Sequence, residues 1–123
     1  MEFDELSRTV IGCAIEVDRN LGSGLHESTY RQCLAHELAN GGVPFQMEVP
    51  LPVRYKETLL DCGYRIDLLV RGELTVEIKS VEALSPIHQP QILTYMRLAN
   101  VLIGLLTNFN VTKLQNGIRR FVL

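Results

Sequence analysis

Asp67 constrains the fold of this chain more than any other residue, because it sits in an apolar run where an ordinary core would not place a charge. Its neighbours are Ile66, Leu68, Leu69 and Val70. A second run, through Val76-Glu77-Ile78-Lys79, joins the first at Arg71-Gly72, which predicts a β-hairpin over Gly63 to Lys79. Side chains alternate along a strand, so Glu77 and Lys79 share one face while Val76 and Ile78 point the other way, into a core. Opposed residues in a hairpin also share a face. A two-residue loop would set Asp67 opposite Val76, on the core face. A three-residue loop, Arg71 to Glu73, sets it opposite Glu77. One residue of slip reverses the whole strand. The expectation is the three-residue loop or an equivalent bulge, with Gly72 in the turn.

The other segments follow from periodicity. Phe3, Leu6, Val10, Cys13, Ala14, Val17 and Leu21 fall at three- and four-residue steps, which predicts an amphipathic helix from about Asp4 to Asn20. Gly22-Ser23-Gly24 breaks it. A second helix follows from about Leu25 to Asn40, with Tyr30, Leu34 and Leu38 inward and Gly41-Gly42 at its end. From Val43 to Tyr55 the odd positions are almost all apolar, a strand pattern. Pro44, Pro50 and Pro52 lack ladder donors, so this strand must run at an edge or break in two. Lys56-Glu57-Thr58 reads as a turn. Ser85-Pro86 resembles a helix start, and the third helix should run to about Ala99 with a kink or restart at Pro90. Val101 to Thr107 reads as a buried strand and Ile118 to Leu123 as a last short one. The helix between Lys79 and Val101 is then a crossover, and the strands on either side of it could be parallel neighbours. The fold class is α/β, a sandwich around a central mixed β-sheet with flanking helices.

The 123 residues suffice for one domain over 1–123, and there is no internal repeat. The formal charge of −2 gives no global basic signature, so nucleic-acid binding would need a local patch or a metal. Cys13, Cys33 and Cys62 have no paired spacing, which suggests buried small thiols and a cytoplasmic location. Glu2, Asp4 and Glu5 do not fit a signal peptide, and the apolar run near Val101 is too short to cross a bilayer, so no membrane association is expected.

Bringing Asp67 and Glu77 together costs like-charge repulsion, which a divalent metal would remove. Magnesium takes hard oxygen ligands and keeps waters for a substrate. Lys79 could orient or deprotonate a water beside a phosphate, or stabilise developing charge. That constellation is suited to metal-assisted phosphodiester hydrolysis. The same spacing also accommodates a structural cross-strand ion pair.

Asp67…Glu77-Ile-Lys79 resembles the motif of the PD-(D/E)XK nuclease superfamily, with Ile66 where a proline often stands. Gly24-Leu-His-Glu27-Ser-Thr-Tyr30 looks like the motif that names its GxxExxY family, and Gln91-Ile-Leu-Thr-Tyr95 is similar to the QxxxY element of its exonuclease-like branch. Asn108-Phe109-Asn110 and Gly117-Ile-Arg-Arg120 look like the closing segments of that family. The resemblance covers nearly the whole chain and implies a restriction-endonuclease-like fold and a metal-dependent nuclease. It implies that Asp67, Glu77 and Glu27 hold Mg2+ or Mn2+, and that Lys79 is the catalytic lysine with Gln91 assisting. Tyr95, Gln91 and Lys79 would meet the substrate, a nucleic acid and by resemblance DNA. So small a nuclease would gain surface as a homodimer. The rival expectation is a non-catalytic nucleic-acid- or protein-binding module that keeps the nuclease fold, motivated by the acidic balance and small size.

Several of these residues also have plain structural roles open to them. Glu27 suits the dipole of its own helix, and Tyr30 lies on an inward stripe. Gln91 and Tyr95 share a helical face and could be core-edge residues. His26, His36 and His88 are expected at the solvent or an edge, with His88 one turn from Gln91. Lys113, Arg119 and Arg120 could face phosphate or form part of a solvated end strand.

Overall fold

The structure, a computed structural model, describes residues 4–123. Helix α1 spans Glu5–Leu21, and Asp4 caps it by accepting a hydrogen bond from the Ser7 amide at 3.0 Å. Ser7, Val10, Ala14 and Val17 form its buried stripe, while Leu21 is exposed in the last turn. Phe3, expected on the same stripe, lies outside the described residues. Helix α2 spans Glu27–Asn40, starting after the expected Leu25, with His26 at its N-cap. Its stripe of Tyr30, Leu34 and Leu38 is fully buried, so Leu34→Ala would cost about 2 to 5 kcal/mol.

The proline-rich segment breaks in two, and its first part also runs at an edge. Strand β1 is Phe45–Pro50, and β2 is Val53–Tyr55. The turn begins at Lys56-Glu57, but Thr58 already belongs to a strand. Strand β3, Thr58–Leu60, pairs with β2 in a small ribbon that the periodicity did not predict. All three β3 residues are exposed, so there is no buried face to impose alternation.

Strands β4 (Arg65–Val70) and β5 (Leu74–Lys79) form the expected hairpin. Val70 pairs with Leu74 across Arg71-Gly72-Glu73, so the loop has three residues. Arg71 and Gly72 both take left-handed backbone angles, φ 55° and 68°, which glycine adopts without strain. Helix α3 is His88–Ala99. It starts later than Ser85-Pro86 suggests, because those residues form a preceding turn closed by the His88 amide donating to the Ser85 carbonyl. Pro90 therefore stands in the first turn, where a missing N–H breaks no helical bond, and the expected kink is unnecessary. Strand β6 (Ile103–Asn108) is parallel to β5, and β7 (Ile118–Val122) is antiparallel to β6.

The main sheet is five-stranded and mixed, in the order β1-β4-β5-β6-β7. One face packs Leu68, Val70, Leu74, Val76 and Ile78 against the stripes of α1 and α2. The other packs Leu106 against Ile92 and Met96 of α3. Gly104 of β6 makes that second contact possible, since a Cβ there would sit 2.6 Å from the Met96 sulfur. This is an α/β sandwich of the restriction-endonuclease-like kind.

Candidate functional site

The sheet is interrupted at Asp67. Strand β1 pairs with β4 at Met47–Leu68 and Val49–Ile66 but skips Glu48 and Asp67, and Glu48 has φ 49°. On the other side, the β4–β5 ladder ends at Leu68–Val76, one pair short of Asp67 and Glu77. Ile66 packs with Leu51 and Tyr95, whereas Leu68 and Val70 join the α1–α2 core. Asp67 is thus the point where the alternation of β4 breaks and β5 leaves it. Side chains take over the missing ladder bonds. The Ile78 amide donates to Asp67 Oδ2 at 2.7 Å, and the Asp67 amide donates to Glu77 Oε1 at 3.4 Å. The three-residue loop has brought the two carboxylates level, and they fill the fork between the strands.

Charge is concentrated there. Burial, then the Asp67 charge, pushes the Glu77 carboxyl up to about 8. Burial also raises Asp67, against the Ile78 hydrogen bond and the positive charges of Arg31 and Lys79. Glu27 adds its charge to both, in the raising direction. Arg31 of α2 lies 3.4 Å from Asp67 Oδ1 and 3.2 Å from Glu48 Oε1. Its Nε is buried with no hydrogen-bond partner among the described residues. Lys79 acts electrostatically on both fork acids, and neither reaches it at ion-pair distance.

The acids Asp67 and Glu77 are hard oxygen donors whose repulsion a divalent cation would relieve, so the pair fits such an ion. The third expected ligand is not gathered with them. Glu27 Oε2 accepts a hydrogen bond from the Ser80 amide at 3.3 Å, and among the described residues no group of three His, Cys, Asp or Glu side chains converges on a metal position.

Local packing explains why Glu27 is nearby. The Tyr30 hydroxyl donates to the Gly22 carbonyl at 2.6 Å and accepts from the Leu25 amide at 3.2 Å, clamping the loop before α2. Its ring stacks on Phe109 at 4.3 Å, so Tyr30 is a core anchor. The clamped loop presents the Leu25 carbonyl to the Ser80 hydroxyl at 2.7 Å. Asn108 holds the next residue from the opposite side, donating to the Val81 carbonyl at 2.9 Å and accepting from its amide at 3.1 Å. Gly117 permits this, because a Cβ there would lie 2.2 Å from the Asn108 carbonyl oxygen. The Glu27–Tyr30 and Asn108–Gly117 segments thus secure the chain directly after Lys79.

Helix α3 approaches the fork from the other face. Gln91 Nε2 donates to the Tyr95 hydroxyl at 3.4 Å. Burial and then the Glu77 charge raise the Tyr95 phenol, placing Tyr95 within electrostatic reach of the acid. His88 is turned away into the preceding turn, where Nδ1 accepts from the Ser85 amide. Arg120 is drawn to Asp4 at 2.9 Å, and Arg119 bonds the Asn116 and Ile118 carbonyls, so neither guanidinium reaches toward the fork. Cys13 and Cys33 pack at the core, but Cys62 is exposed, because it precedes β4 in an open segment.

Sequence reasoning missed Arg31 and Glu48. The signal for Arg31 was its position four residues after Glu27, on the same helical face. Nothing local marked Glu48, whose contact depends on the break in β1.

A family model described as the PD-(D/E)XK nuclease superfamily matches residues 4–121. No curated protein and no solved structure matches the chain.

Proposed function

Because the chain belongs to the PD-(D/E)XK nuclease superfamily, we propose that it is a divalent-metal-dependent nuclease acting at the fork between β4 and β5. The observation that carries this reading is the pair Asp67 and Glu77, one partly and one fully buried where two strands part, with Glu77 accepting from the Asp67 amide and Asp67 from the Ile78 amide. Asp67 and Glu77 hold Mg2+ or Mn2+, and Glu27 adds a third negative charge. The bound ion would supply Lewis-acid activation of the phosphodiester and of a water. Lys79 orients that water or steadies the charge developing on the phosphate oxygens. Gln91 assists from α3, and Tyr95 fixes the Gln91 amide and borders the substrate. DNA is the favoured substrate. The GxxExxY group is the favoured subfamily, with residues 1–123 as one nuclease-like domain, acting in the cytoplasm and pairing as a homodimer for added surface.

The test is cleavage of single- and double-stranded DNA and RNA with Mg2+ or Mn2+ by wild type, Asp67→Ala and Lys79→Ala. Cleavage should require the metal and vanish in both variants while their folds persist. Full activity in Asp67→Ala would remove the assignment.

A second reading draws on Arg31, which already sets a cation 3.4 Å from Asp67. In that reading the acids are ion-pair partners in a non-catalytic binding module. Wild type would then neither bind the metal nor cut any strand.

A further inference from the structure

Beside the fork is a small pocket that shares Gln91 and Tyr95 with the proposed site and extends beyond them. It is lined by Tyr64, Ile87, Pro90, Gln91, Thr94 and Tyr95. Its walls are flat and apolar, and two of them face solvent: Tyr64 is 42% exposed and Ile87 is 64% exposed. The Tyr64 ring leans on Tyr95 with centroids 5.8 Å apart and planes tilted by 58°. Tyr95 braces the ring by this tilted contact, and Tyr64 stays exposed to solvent beside it. The polar side-chain groups in the lining are the Gln91 amide, the Thr94 hydroxyl and the phenols of Tyr64 and Tyr95. Tyr95 places the pocket next to the acids, because it lines the pocket and packs in one cluster with Ile66, the residue before Asp67.

An open aromatic face, apolar walls and an amide at the rim recognise one ligand chemistry well, an unpaired nucleobase. Every base has a π-face to stack, and an amide can both donate to and accept from its edge. A base inside a duplex is already stacked and paired, so it cannot enter without being flipped. We infer that this pocket holds an unpaired base of the strand whose phosphate lies at Asp67 and Glu77, making single-stranded nucleic acid the preferred substrate. The inference rests on the nuclease reading and adds Tyr64 as its specificity residue, with Ile87 and Pro90 as the opposing wall.

The experiment compares steady-state cleavage of a short single-stranded oligothymidylate, the same backbone carrying abasic residues, and a blunt duplex, all with Mn2+. Wild type should show the lowest KM on the base-bearing strand. Tyr64→Ala should raise that KM roughly tenfold, as expected for loss of one base–aromatic stack, with kcat little changed. The abasic KM should not move. Tyr64→Phe should restore the wild-type value, since stacking needs the ring and not the hydroxyl. Ile87→Ala, at a more exposed position, should raise KM in the same selective way by a smaller factor. Equal KM values for base-bearing and abasic strands would overturn the subsite and leave the nuclease standing. So would cleavage of the duplex alone. Failure to cut any of the three would remove the nuclease reading and the subsite with it.

Discussion

Asp4 and Glu77 are both carboxylates tied to backbone amides, yet the molecule treats them in opposite ways. Asp4 lies at the N-terminus of α1, where helix amides lack partners. Burial alone would raise its carboxyl, but the Ser7 hydroxyl and amide and the Arg120 guanidinium bring it down to about 2. Glu77 has one long amide bond and a like charge beside it, and burial followed by Asp67 pushes it up to about 8. The first acid closes the molecule, joining α1 to β7 across 116 positions. The second is held ready and under-compensated. A fold that satisfies a carboxylate so fully at one place and leaves another short of partners is the contrast on which the proposed metal site rests.

The sharpest way to break this contrast is to remove each acid and measure cleavage. Glu77→Ala should lower kcat on the order of a hundredfold or more, whereas Asp4→Ala should leave it close to wild type. Comparable losses in both would put the contrast down to general damage.

The next effect is on stability against pH, measured by thermal melts in EDTA. Glu77 binds its proton more tightly folded than unfolded, so the folded state holds the extra proton between about 4.5 and about 8. Wild-type stability should therefore fall as pH rises through that window and level off above it. Glu77→Gln should lose this decline and melt higher than wild type at pH values above 8. Asp4 has the reverse sign. Its folded value lies below the ordinary 3.8, so its contribution is present above that pH and disappears as pH falls toward about 2. Asp4→Ala should flatten that acid limb alone.

At neutral pH, Asp4→Ala should cost about 1 to 2 kcal/mol in urea denaturation, for the lost cap and the lost ion pair to Arg120. Arg31→Met gives the smallest effect. Removing the cation beside Asp67 should tighten Mn2+ binding severalfold by calorimetry, because guanidinium and metal compete for the same charge. Unchanged affinity would show that Arg31 does not contend for the site.

Much of this was legible in the sequence, for identifiable reasons. The level placement of Asp67 and Glu77 followed from strand alternation and loop length, because a three-residue loop or an equivalent bulge keeps both charges off the core face, and the loop has three residues. The mixed sheet and the parallel β5–β6 pair followed from the crossover pattern. The start of α3 was misplaced because Ser85-Pro86 suits a turn as well as a helix cap. The β2–β3 ribbon was invisible because exposed strands need no alternation. The fork itself could not be read, since an interrupted ladder is a tertiary fact. Arg31 meets Asp67 across 36 positions, and its place four residues after Glu27 points to the helix face but not to that partner.

As proposed, Asp67 and Glu77 form a divalent-metal site. Calorimetric titration of Mg2+ and Mn2+ into wild type and Glu77→Gln at pH 8 tests it most directly. Wild type should bind, more weakly as pH is lowered and Glu77 regains its proton, and the variant should lose binding. Wild type that binds neither ion, or a variant that binds as tightly as wild type, would contradict it.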